Sequence, residues 1–231
     1  MTITSSTLSR SAAVAAGLAG LIFMGVQIGH PHLDVTSVDT KEWAIRNTAK
    51  AIFAALALAG ITGMYLRQVK EMGVLGVIAY VLLGTGYLLI FSTAIVAGYV
   101  LPSLAQTDPA FVNGVLAVAG GGKTTTDIGL LQLALAAEGI TYLAGGLLFG
   151  IALYRAHILS RWGALLLSAG AVFTLALSVL PDSLYRLLAY PNAIALIALG
   201  YSLWHAAEHH CNVAAPGSAT QIGHPTALQG A

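Results

Sequence analysis

Residues 128–153 read IGLLQLALAAEGITYLAGGLLFGIAL, an apolar stretch with a single acidic side chain, Glu138, and no basic one. A largely apolar run of about 18 or more residues marks a membrane-spanning helix. A charged group at its centre costs roughly 2.5–3.5 kcal/mol on insertion scales, so Glu138 is a functional-site candidate by default. Asp127 stands eleven residues earlier. On one continuous helix the two carboxyls share a face, about 16 Å apart along the axis.

The rest of the chain has the same character. Of 231 residues 57% are hydrophobic and 8% charged, and the mean hydropathy is +0.82. An all-α, polytopic membrane protein is expected. The net charge of +1 says nothing about nucleic acid, and no basic stripe or aromatic-basic interleaving suggests it, so no nucleic-acid partner is expected. Cys211 is the only cysteine, which excludes an intrachain disulfide, a CxxC redox pair and a thiolate cluster. The run after Arg10 continues into Gln27-Ile28-Gly29-His30-Pro31 without a small-x-small cleavage site, so it reads as a retained first helix.

Six spans emerge, at about 10–29, 44–66, 74–101, 128–153, 161–180 and 186–205, with Pro31, Pro102 and Pro181 as stops. They form a transmembrane domain over 1–210, followed by a disordered cytoplasmic tail over 211–231. The segment between Pro102 and Asp127 is the one long connection; its Gly120-Gly121-Gly122-Lys123-Thr124 portion suits either a lid or a slack loop. Gly63-Met64-Tyr65-Leu66-Arg67 is echoed by Gly150-Ile151-Ala152-Leu153-Tyr154-Arg155, and Val100-Leu101-Pro102 by Val179-Leu180-Pro181. These echoes suggest that helices 2–3 and 4–5 are copies of one hairpin. Short turns rich in Arg and Lys put both termini in the cytoplasm under the positive-inside rule.

On the opposite, acidic side several polar groups lie at helix ends. Glu138, Asp127 and Asp182 are the candidate catalytic acids. Burial disfavours a charged carboxyl, which makes Glu138 the expected proton donor. Asp127 and Asp182 would orient it or relay protons, although each also fits a helix cap. Tyr80, Tyr87, Tyr142, Arg46, Lys50 and His30 are candidate substrate-binding residues, the tyrosines offering π faces to positive charge. Arg46 also suits a snorkelling role, and the tyrosines suit plain packing. His30, His32 and Asp34 surround a proline turn, and His205, Glu208, His209 and His210 lie at the other membrane side. No metal site and no cofactor is expected.

The runs Gly63-Met64-Tyr65-Leu66-Arg67-Gln68, Gly73-Val74-Leu75-Gly76, Val100-Leu101-Pro102-Ser103-Leu104-Ala105 and Leu148-Phe149-Gly150-Ile151-Ala152-Leu153-Tyr154-Arg155-Ala156 resemble a family of uncharacterised six-helix integral membrane proteins of actinobacteria. The resemblance spans about residues 45–205, implies a six-helix fold and hands over no catalytic residues. More loosely, the chain is similar to the small membrane-bound terpene cyclases of natural-product biosynthesis. Those proteins lack aspartate-rich metal motifs and protonate an epoxide or alkene with acidic side chains. That analogy implies an isomerase acting on a lipophilic substrate within the bilayer by acid-initiated isoprenoid cyclisation. A proton-coupled or small-solute transporter, an immunity protein and a structural membrane subunit stand as alternatives, each compatible with a homo-oligomer.

Overall fold

The computed structural model describes residues 4–29, 32–173 and 187–213. Among these the secondary structure is helical, with no strand. The helices are α1 (Ser5–Gln27), α2 (Val35–Val38), α3 (Lys41–Arg67), α4 (Val69–Ile95), α5 (Leu101–Leu104), α6 (Pro109–Ala119), α7 (Leu131–Ala156), α8 (Arg161–Phe173) and α9 (Tyr190–Val213). A π-helical turn, Val96–Val100, joins α4 to α5. Five helical segments are long and apolar enough to cross a membrane: α1, α3, the continuous Val69–Leu104 rod, α7 and Leu187–Glu208. The fifth predicted span, 161–180, is described as α8 over Arg161–Phe173, 13 residues, and its remainder lies outside the described residues. So do His30, Pro31, Pro181, Asp182 and the tail from residue 214; α9 itself runs past Cys211 to Val213.

Each long helix packs on two others, in the cyclic order α1, α3, α4, α7, α8, α9 and back to α1. Lipid tails are as apolar as leucine, so helices in a membrane associate through close van der Waals packing rather than hydrophobic gain. Glycines line every one of these seams; between α3 and α4 the fit is looser, with a Cβ on Gly84 meeting only the Leu58 side chain at 3.4 Å. A Cβ on Gly60 would sit 2.8 Å from that of Ala16 in α1. On Gly86 it would meet the Tyr142 backbone of α7 at 2.9 Å, and on Gly145 it would run into the backbone of Leu83 in α4. Gly150 lies against Ala164 and Ser168 of α8, Gly170 against Asn192 of α9, and Gly20 and Gly200 close the α1–α9 contact. The buried core that results is rich in alanine, with Phe53, Tyr87 and Phe149 as its largest members.

Helix ends follow local rules. Thr40 and Asp108 cap α3 and α6 with their side chains, and Pro109 occupies the first turn of α6. Asp34 caps α2; the Thr36 hydroxyl and the Ser37 N–H hold its carboxyl below the ordinary aspartate range. The pairs predicted as duplicates, α3–α4 and α7–α8, turn differently. Gln68 alone separates α3 from α4, and Gly73 has φ +56°, whereas α7 ends on a left-handed His157 and Gly163 is helical within α8.

Two predicted boundaries need correction. Pro102 does not end the third span. The π turn closes with the Leu101 N–H on Val96 O, and Pro102 falls in the first turn of α5, where its missing N–H is not needed. The helix carrying Glu138 begins at Leu131 rather than 128, because Gly129 adopts φ +60°. Asp127 is therefore not on that helix, and the two carboxyls do not share its face.

Substituting Gly145 by valine should destabilise the α4–α7 pair by about 1–3 kcal/mol, since the added carbons have no free volume. Gly17→Ala, where a Cβ meets nothing within 4 Å, should stay within about 1 kcal/mol of wild type. Thermal unfolding in detergent micelles measures both.

Candidate functional site

The α3 cap sets the first wall of the site. The Trp43 N–H donates to Thr40 Oγ1 at 3.2 Å, which fixes Trp43 in the opening turn with its ring inward and 2% exposed. A buried indole needs an acceptor, and its Nε1–H donates to Ala97 O at 2.7 Å. Ala97 lies in the π turn. In that i+5 register its carbonyl would be served by residue 102, which is Pro102 and has no N–H. Trp43 supplies the donor the backbone lacks. One turn further on, Asn47 is buried and donates from Nδ2 to Trp43 O at 3.0 Å. Lys50 follows on the same face.

The opposite wall comes from α7. The Thr93 hydroxyl of α4 donates to Glu138 Oε2 at 2.6 Å. The same oxygen lies 3.0 Å from Leu89 O and 3.3 Å from Ile90 O. A hydroxyl has one hydrogen, so the pair has two self-consistent arrangements. Thr93 donates to a carboxylate, or a protonated Glu138 donates to Thr93 while Thr93 donates to the Leu89 carbonyl. The Lys50 ammonium acts electrostatically on the same carboxyl.

Trp43, Asn47, Lys50, Thr93 and Glu138 line one half-open cavity of about 580 Å³, within the usual size range for small-molecule sites. The rest of its wall is apolar or glycine, from the ends of α4 and α7, Leu33, and α6 with the Gly121-Gly122 turn. The long connection is thus neither slack nor structureless. Val112, Val115 and Leu116 of α6 pack with Val38, Trp43, Leu101 and Ile128 in a second small core, and Val115, Leu116 and Val118 face the cavity.

The structure brings together only some of the residues expected from the sequence. Glu138 and Lys50 share the cavity. Asp127 is exposed and accepts from the Gly129 N–H at 2.8 Å, an Asx turn outside the cavity wall. Arg46 turns away. It donates to Val26 O, Ile28 O and Gly29 O at 3.0, 2.8 and 3.0 Å and pairs with Glu42 at 2.7 Å. Those carbonyls are the orphan acceptors at the end of α1, so Arg46 is its C-terminal cap. Tyr80 stacks on Tyr65 at 4.7 Å and bonds Thr62, away from the cavity. Tyr87 and Tyr142 meet edge to face at 5.7 Å in the core, where Asn192 donates to the Tyr142 hydroxyl. None of the three tyrosines lines the cavity. His30 and Asp182 fall outside the described residues.

Trp43, Asn47 and Thr93 were not expected at the site. Each carried a signal: a tryptophan one turn inside a Thr-capped helix, a polar residue four positions on, and a hydroxyl in an apolar span. Trp43→Phe leaves the half-buried Ala97 carbonyl without its donor and should destabilise the fold by about 1–3 kcal/mol. Hydrogen exchange should accelerate over 97–104 and remain unchanged in α8 and α9. Faster exchange throughout, or none anywhere, would show that the indole does not hold the π turn.

Comparison with known protein families, curated proteins and solved structures finds no match to this chain.

Proposed function

We propose that the chain is an integral membrane enzyme that binds a lipophilic substrate in the α3–α4–α6–α7 cavity and acts on it by proton transfer at Glu138. Six spans with both termini in the cytoplasm complete this picture, supported by the cyclic packing of six helices and by the basic short turns. The observation that carries the reading is the Glu138–Thr93 pair on the wall of a mostly apolar cavity with Lys50 nearby.

Acid-initiated isoprenoid cyclisation fits these groups. Glu138 gives its proton to an alkene carbon or an epoxide oxygen. A new C–H bond forms, or the C–O bond of the protonated epoxide breaks, and a carbocation results. The π electrons of a second alkene then close the ring. Loss of a proton from the final cation back to Glu138 restores the acid, so the net change is an isomerisation. Thr93 and Lys50 both favour the carboxylate left by the first step, the hydroxyl by donating and the ammonium by its charge. The Trp43 indole supplies the π face that an intermediate cation needs. The apolar wall keeps water from quenching it.

Membranes bearing wild type or Glu138→Gln at equal expression, given epoxy- and prenyl-chain substrates, should differ in isomeric cyclised products by mass spectrometry. The variant should lose at least about two orders of magnitude in rate, the usual worth of a positioned general acid. Full activity in Glu138→Gln would sink the mechanism. No product from either protein, with proton-dependent flux in vesicles lost in the variant, would move the site to transport.

A further inference from the structure

We infer that the cavity is filled sideways from the bilayer, by a single-chain lipid whose polar end is uncharged. This rests on the binding site proposed above and names the class of molecule it takes.

The side opening lies on α7. Ala136, Gly139 and Ile140 stand at i, i+3 and i+4 on one face. All three line the cavity and all three are exposed, Ile140 at 68%. They lie roughly 8–14 Å along the helix from its first residue, a depth at which the exterior is hydrocarbon rather than water. A Cβ on Gly139 would meet nothing within 4 Å, unlike the glycines at the helix seams. On the water side, by contrast, α6 lies across the cavity with Val115 and Leu116 turned inward. A molecule dissolved in the membrane therefore reaches Glu138 past Gly139 without crossing α6.

The charges inside select its polar end. Among the described lining residues there is one cation, Lys50, and one carboxyl, Glu138, and the two already interact. Arg46, the nearest other basic residue along α3, is held by the end of α1 and by Glu42. A diphosphate would bring several negative charges against Glu138 with one ammonium to offset them, and desolvating it here is unfavourable. An alcohol needs one donor and one acceptor, and an epoxide or carbonyl needs only a donor; Lys50, Glu138 and Thr93 provide both. The apolar remainder of the cavity accommodates the chain.

The test uses the full chain in proteoliposomes and two photoreactive probes, a diazirine-bearing isoprenoid alcohol and the corresponding diphosphate. Labelled peptides are mapped by mass spectrometry. In wild type the alcohol should label α7 and the end of α4, with the diphosphate about tenfold weaker, the factor that corresponds to 1.4 kcal/mol. Gly139→Phe and Ala136→Phe each fill the opening and should reduce alcohol labelling by about tenfold. Gly25→Phe, on an exposed position of α1 where a Cβ meets nothing within 4 Å, should label as wild type does. Undiminished labelling in both rim variants, or stronger labelling by the diphosphate, overturns the inference. So does an equal loss in Gly25→Phe. Labelling needs no turnover, so absence of cyclised product leaves it standing, and turnover undisturbed in both rim variants would overturn side access alone.

Discussion

The contact between α4 and α7 sets the rest of the structure. Two antiparallel helices approach to backbone contact where Gly86 meets Tyr142 and Gly145 meets Leu83, because no side chain intervenes and lipid offers no hydrophobic reward for a looser fit. Two turns further along, the link is no longer backbone contact. It is a side-chain hydrogen bond, Thr93 to Glu138. The cavity opens beside this bond, lined by Ile90, Thr93 and Ala94 of α4 and by Leu135 and Glu138 of α7. Glycine placement and carboxyl placement are thus parts of one arrangement.

The π turn is the second element on which the cavity depends. It carries α4 across Pro102 without ending the helix, and it turns Val96, Ala97 and Leu101 toward the space above Glu138. Its weakness is the Ala97 carbonyl, which proline cannot serve. Trp43 repairs it from α3, and in doing so places an aromatic face in the cavity wall. A structural repair and part of the cavity lining come from one side chain. π turns inserted into α-helices recur at functional sites for this kind of reason.

Much of the architecture is legible along the chain. The apolar runs around Phe53, Tyr87 and Phe149 mark spans, and Glu138 stands out because an acid at that depth has few uses. Lys50 was legible as a cation on the acidic side. Arg46 was equally visible but could not be assigned, since its partners are three carbonyls some twenty residues earlier that become orphan acceptors only when α1 ends beside it. Asp127 was misplaced by a local event, the left-handed Gly129, which sequence allows but does not require. Tyr80, Tyr87 and Tyr142 carry the same chemistry as a cation-shielding set, and only their neighbours show that they are packed against Tyr65, Phe53 and one another.

Composition and periodicity alone determine that this protein is helical, carries spans apolar enough to cross a membrane, and holds one carboxyl within such a span. Those properties are sums over residues, and they survive any detail of packing. The tertiary structure alone decided which polar groups meet. Thr93 and Glu138 are 45 positions apart and Trp43 and Ala97 are 54 apart. Their meeting depends on the register between neighbouring helices; for Thr93 and Glu138 it follows from how closely the α4 and α7 backbones approach at Gly86 and Gly145, a property of the pair and not of either segment.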